Sequence, residues 1–162
     1  MNSSDPAIVG VIIVLILLSA FFSSAETALT TVNKIKIMTL AEEGNRRAST
    51  LLKVIENPGK MLGAILIGNN IVNLFASSLT TTLALHIFNS IGVSICTGIL
   101  TLVILIFGEI SPKTLAAAYS EKLALAYAGV IYALMTVMTP FIFITNALSH
   151  LFLKLFHIDP NK

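Results

Sequence analysis

A single cysteine, Cys96, and three scattered histidines supply the only thiol and imidazoles of this 162-residue chain, and it contains no tryptophan. One thiol cannot close an intramolecular disulfide, and the set is too small for a zinc or copper site. Charge is equally scarce. Only 11% of residues are charged and mean hydropathy is +0.91, against about 25% charged in an average soluble domain. An ordinary soluble globule is excluded. The formal net charge of +2, with basic residues gathered in one loop, gives no nucleic-acid signal. There is no Gly-rich phosphate loop, no Gly-x-Ser-x-Gly and no visible nucleophile–base pair, so no enzyme is expected.

What is present is hydrophobic, 56% of the chain. Residues 61–108 contain no Lys, Arg, Asp or Glu. As one helix at about 1.5 Å per residue this stretch would run roughly 72 Å, more than twice a bilayer core of about 30 Å, so it must fold back on itself. The most polar short window within it, His86-Ile87-Phe88-Asn89-Ser90, is the expected turn. An earlier apolar run, 7–25, is long enough to cross. It is preceded by Asp5 and by no Lys or Arg, which argues for a retained span over a signal peptide.

The expected fold class is therefore all-α, a polytopic membrane domain filling 1–162. Its spans fall at about 7–32, 60–85 and 92–118, with a cytoplasmic belt of short helices over 33–59 and a juxtamembrane region over 120–157. The belt and the residue after it, 33–60, hold Lys34, Lys36, Arg46, Arg47, Lys53 and Lys60, six of the ten basic residues. By the positive-inside rule it is cytoplasmic, the N-terminus lies outside, and Lys113 and Lys122 follow the third span on the inner side. Gly44 is an expected break, and Asn57-Pro58-Gly59 an expected stop after the belt. Ala48, Leu51, Leu52 and Ile55 form an apolar stripe suited to the membrane interface. Pro140 interrupts the region 123–156. An interfacial or re-entrant helix pair is favoured there over a fourth crossing, keeping the C-terminus cytoplasmic.

Ionisable groups inside a membrane span cost at least roughly 2.5 kcal/mol and point to function. Glu109 and Glu26 are the candidates, accompanied by Ser23 and Ser24 on the first span and Asn69, Asn70 and Asn73 on the second. Counted from the expected inner ends, Ser23, Asn69 and Glu109 each lie nine residues deep, about 14 Å at helical rise and close to the midplane. Hydroxyl, amide and carboxylate oxygens suit a hard cation such as Mg²⁺ or Na⁺. Pro112 obstructs the carbonyl of Gly108, four residues back, and makes that carbonyl a candidate ligand. For Asn70, Ser77, Ser78 and Thr80 to Thr82, interhelical hydrogen bonding is the favoured reading. For Glu109 the competing reading is an ion pair with Lys113 at i+4. His86, His150 and His157 read as turn or interface polarity.

Three segments carry a family resemblance. Phe21-Phe22-Ser23-Ser24-Ala25-Glu26-Thr27-Ala28-Leu29, Gly68-Asn69-Asn70-Ile71-Val72-Asn73 and Phe107-Gly108-Glu109-Ile110-Ser111-Pro112-Lys113-Thr114 resemble, in order, the motifs of the CNNM/CorC transmembrane domain. The resemblance implies a homodimeric Mg²⁺ exporter of the plasma membrane, coupled to Na⁺ entry. Carried over position by position, it gives Ser23, Asn69 and Glu109 as metal ligands, with Ser24, Asn73, Gly108 and Glu26 in a second tier. Glu26 is uncharged in animal members. Relatives of this family continue into a cytoplasmic pair of nucleotide-binding CBS domains, which the 162 residues do not contain. The rival expectations are a membrane anchor and dimerisation module for a cytoplasmic sensor, and a Na⁺ or H⁺ pathway through Glu26 and Glu109.

Overall fold

The structure, a computed structural model, describes residues 5–88, 90–156 and 158. Asn89, in the expected turn, and His157, expected at the interface, lie outside the described residues. Helix α1 (Asp5–Thr31) is followed by α2 (Lys34–Glu42), α3 (Arg46–Ile55) and α4 (Pro58–Ile87). Then come α5 (Ser90–Val103), a π-helical segment (Ile104–Ile110), α6 (Ser111–Ala118), α7 (Ser120–Val137) and α8 (Thr139–Leu155). No strand occurs among the described residues.

Three stretches, Pro6–Thr31, Pro58–Ile87 and Ser90–Ala118, are long and apolar enough to cross a membrane. They fall within two residues of the spans expected from the sequence. Their outer faces present Leu17, Leu74, Ile91 and Leu102, each at least 60% exposed. Such faces would aggregate in water and are ordinary in lipid.

The belt is set by asparagines. Asn33 Oδ1 accepts from the backbone N–H groups of Ile35 and Lys36, at 3.0 and 3.3 Å. Asn45 Oδ1 does the same for Arg47 and Ala48, at 3.0 and 3.2 Å. Each cap satisfies two otherwise orphan donors and contributes about 1 kcal/mol. Between them, Gly44 at φ +92° terminates α2, with Asn45 N–H donating to the Leu40 carbonyl and Gly44 N–H to that of Ala41. A side chain at this backbone angle would be strained. Asn57-Pro58-Gly59 does more than stop the belt: Asn57 Oδ1 accepts from Lys60 N–H, and Pro58 opens the first turn of α4.

The apolar stripe of α3 does not face lipid. Ala48, Leu51 and Val54 are fully buried, and α3 packs on α7, whose Ala124, Ala128 and Ile131 are buried at i, i+4 and i+7. Small residues on α7 let the two backbones approach; Val54 joins Ala48 and Leu51 as fully buried, while Leu52 and Ile55 of the expected stripe pack half-buried against the same core. Helix α7 also contacts α1 and α4. Pro140, in the first turn of α8, accompanies a 65° bend between α7 and α8. That bent pair is the shape of a re-entrant loop or a broken span and is not a straight crossing.

Candidate functional site

Because α2 and α3 join the end of α1 to the start of α4, the two spans run antiparallel and pack against each other. Ser19 and Ser23, spaced i, i+4, share one face of α1; Asn69 and Asn73 share one face of α4. Ser19, fully buried, donates from Oγ to Asn69 Oδ1 at 3.2 Å. Glycines on two sides allow this closeness. A Cβ on Gly68 would lie 2.6 Å from Phe22 Cζ, and one on Gly108 would lie 3.1 Å from Ser19 Oγ. Ser19 thus draws together α1, α4 and the π-helical segment.

Among the described residues, two oxygens beside this contact have no partner. Ser23, 1% exposed, makes no hydrogen bond from Oγ, and the buried Asn73 Oδ1 has none either. Leaving such a group unsatisfied costs about 1–3 kcal/mol, so each needs a reason. Since the helices are antiparallel, Ser23 lies one turn from the Ser19–Asn69 contact toward the belt, and Asn73 one turn away toward the α4–α5 turn. The structure therefore sets Asn69 level with Ser19 and Gly108, with Ser23 one turn below.

Glu109 follows Gly108 in the π-helical segment and is half-buried. A π-helical turn widens the helix and redirects its side chains, and such turns concentrate at functional sites. Pro112 falls just beyond it, in the first turn of α6. The Glu109–Lys113 pairing suggested by i, i+4 spacing does not form: Lys113 Nζ instead lies 3.2 Å from Glu26 Oε2, tying α6 to α1. Glu109 makes no ion pair among the described residues. Glu26 is thus engaged by a lysine. Ser24 is also turned elsewhere, hydrogen-bonded at 3.0 Å to the Phe21 carbonyl and at 3.0 Å to the Tyr127 hydroxyl of α7. It lines a groove of about 410 Å³ with Phe21, Phe107, Pro112 and Tyr127. Asn70 is exposed.

Sequence reasoning missed Ser19 and Tyr127. For Ser19 a signal existed, because it sits four residues before Ser23 on the same helical face. Among the described residues no three of His, Cys, Asp and Glu cluster as a metal site. The polar seam offers hydroxyl and amide oxygens, with Glu109 next in sequence to the Gly108 that packs on Ser19; oxygen donors of this kind suit a hard cation.

The fold and seam define a polytopic α-helical membrane domain with polar groups between its spans. Residues 10–162 match the cyclin M transmembrane N-terminal domain, and the chain belongs to this CNNM family. It is 37% identical over 141 residues to the UPF0053 inner membrane protein YfjD of Escherichia coli strain K12, covering 87% of this chain and 33% of that protein. A UPF0053 protein of Haemophilus influenzae is 38% identical over 136 residues, 84% of this chain and 32% of the relative. The polyamine export protein of Haemophilus influenzae is 29% identical over 161 residues, 91% of this chain and 37% of the relative. The chain spans about a third of the length of these curated relatives.

Proposed function

We propose that this domain exports Mg²⁺ across the plasma membrane, coupled to Na⁺ entry. In this reading it acts as a homodimer, with its N-terminus outside and its belt cytoplasmic, and a CBS pair follows it in the full-length protein. It is a transporter, not an enzyme. The observation that carries the reading is the unpartnered, buried Ser23 Oγ beside the Ser19–Asn69 contact. A dehydrated cation would give that oxygen the partner it lacks. Asn69 and Ser19 would add an amide and a hydroxyl oxygen, Gly108 its backbone carbonyl, and Glu109 the charge that offsets a divalent ion. Binding between helices and releasing to alternate sides is a common plan among secondary transporters.

A second reading, polyamine export, is favoured by the relative of that name. An organic polycation would need carboxylates spaced along its length, whereas the site proposed here draws on one carboxylate, Glu109, with Glu26 held by Lys113. Reconstituted vesicles separate the two. Mg²⁺ efflux that depends on an opposing Na⁺ gradient, is lost with Glu109→Gln, and is not displaced by spermidine supports Mg²⁺ export. Spermidine flux without Mg²⁺ flux overturns it.

A further inference from the structure

A second charged site lies between the belt helix α3 and α7. A groove of about 470 Å³ runs between α3 and α7. Arg46, Arg47 and Thr50 form one wall, and Leu125, Ala126 and Gly129 the apolar floor. Both arginines are exposed, and among the described residues neither is paired with a carboxylate. The nearest acidic neighbours in sequence, Glu42 and Glu43, stand across the Gly44 turn and leave both guanidinium groups unpaired. The N-terminal N–H groups of α3 are already held by Asn45, so the guanidinium groups, and not the helix end, are the free donors. Farther along, Lys53 Nζ lies 5.9 Å from the centre of the Tyr132 ring, extending the basic edge of α3 along α7.

Helix α3 ends at Ile55, three residues before Pro58, where α4, long and apolar enough to cross a membrane, begins. The α7 wall continues into lipid-facing residues, with Val130 57% exposed. A cationic rim above an apolar trough, beside a candidate membrane span, matches one molecule in both charge and shape. We propose that this groove binds an anionic phospholipid, its phosphate held by Arg46 and Arg47 and an acyl chain lying over Leu125, Ala126 and Gly129. Planar guanidinium groups fit phosphate oxygens bidentately. The Thr50 hydroxyl, now donating to the Arg46 carbonyl at 3.1 Å, turns to add a third donor. Such a lipid would brace α3 against α7 independently of any transported ion.

The test uses the purified chain in neutral detergent, with phosphatidylglycerol, phosphatidylcholine and glycerol 3-phosphate as probes, read by native mass spectrometry and thermal melting. The expected result is one retained phosphatidylglycerol with a saturable rise in melting temperature, little response to phosphatidylcholine, and none to glycerol 3-phosphate. Arg46→Gln and Arg47→Gln each weaken binding about fivefold, the usual effect of one basic residue at a charged surface. Gly129→Leu is the second variant, because a Cβ there meets nothing within 4 Å; it fills the trough without disturbing the core. It weakens phosphatidylglycerol binding while leaving the lipid-free melting temperature unchanged. Equal binding of the two lipids, or glycerol 3-phosphate matching the lipid, overturns the proposal. Should the arginine variants fold poorly, undiminished binding to Gly129→Leu overturns it alone.

Discussion

The contact between α3 and α7 and the seam between α1 and α4 both bury helix faces, yet they treat polar groups in opposite ways. In the first, Ala48, Leu51 and Val54 meet alanines and Ile131, and the belt's turns are capped by Asn33 and Asn45. In the second, Ser19 and Asn69 bond to each other while Ser23 Oγ and Asn73 Oδ1 are left without partners. Where a helix pair serves only stability, apolar matching and satisfied backbone donors suffice. Unsatisfied oxygens in a membrane interior lower stability, and the proposed cation would supply the partner that those at this seam lack.

That contrast can be broken at several points. Leu51→Ala removes a fully buried side chain from the α3–α7 contact and is expected to destabilise by about 2–5 kcal/mol. Thermal melting in detergent checks this, and the Mg²⁺ response of the molecules that remain folded should be unchanged. A loss of Mg²⁺ response at equal folding would mean that the belt is part of the ion site. Gly68→Ala is expected to cost about 1–3 kcal/mol, since the new Cβ must displace the Phe22 ring. Because Gly68 precedes Asn69, the same substitution should also weaken Mg²⁺ binding, measurable by titration. Glu26→Gln should have the smallest effect. It breaks a partly exposed pair with Lys113, at a cost of no more than about 1 kcal/mol. Abolished Mg²⁺ binding in Glu26→Gln with normal melting would instead place Glu26 in the site.

The sequence made the gross architecture legible because its signals are long. A 48-residue uncharged run and a cluster of basic residues survive any local uncertainty, and the family motifs follow the same order as the helices. Through-space choices were less readable. Lys113 pairs with Glu26 on another helix instead of Glu109 on its own, a preference that spacing along one helix cannot express. The π-helical segment Ile104–Ile110 has no side-chain signature, so the third span read as one regular helix kinked by Pro112. The stripe on α3 suited lipid or protein equally well, and only the fold shows α7 lying across it. Ser19 was hidden among apolar residues, where a lone serine usually packs without consequence.

Melting Ser23→Ala beside the native chain across a Mg²⁺ titration shows whether the Ser23 hydroxyl is left unpartnered for a cation. The account predicts that without Mg²⁺ the variant melts at or above the native temperature, because an unsatisfied buried oxygen has been removed. It also predicts that the saturable Mg²⁺-dependent rise is lost or shifted at least about tenfold in concentration, the equivalent of roughly 1.4 kcal/mol of binding. A variant that melts lower without Mg²⁺ and responds to Mg²⁺ as the native chain does would make Ser23 a packing residue and contradict the account.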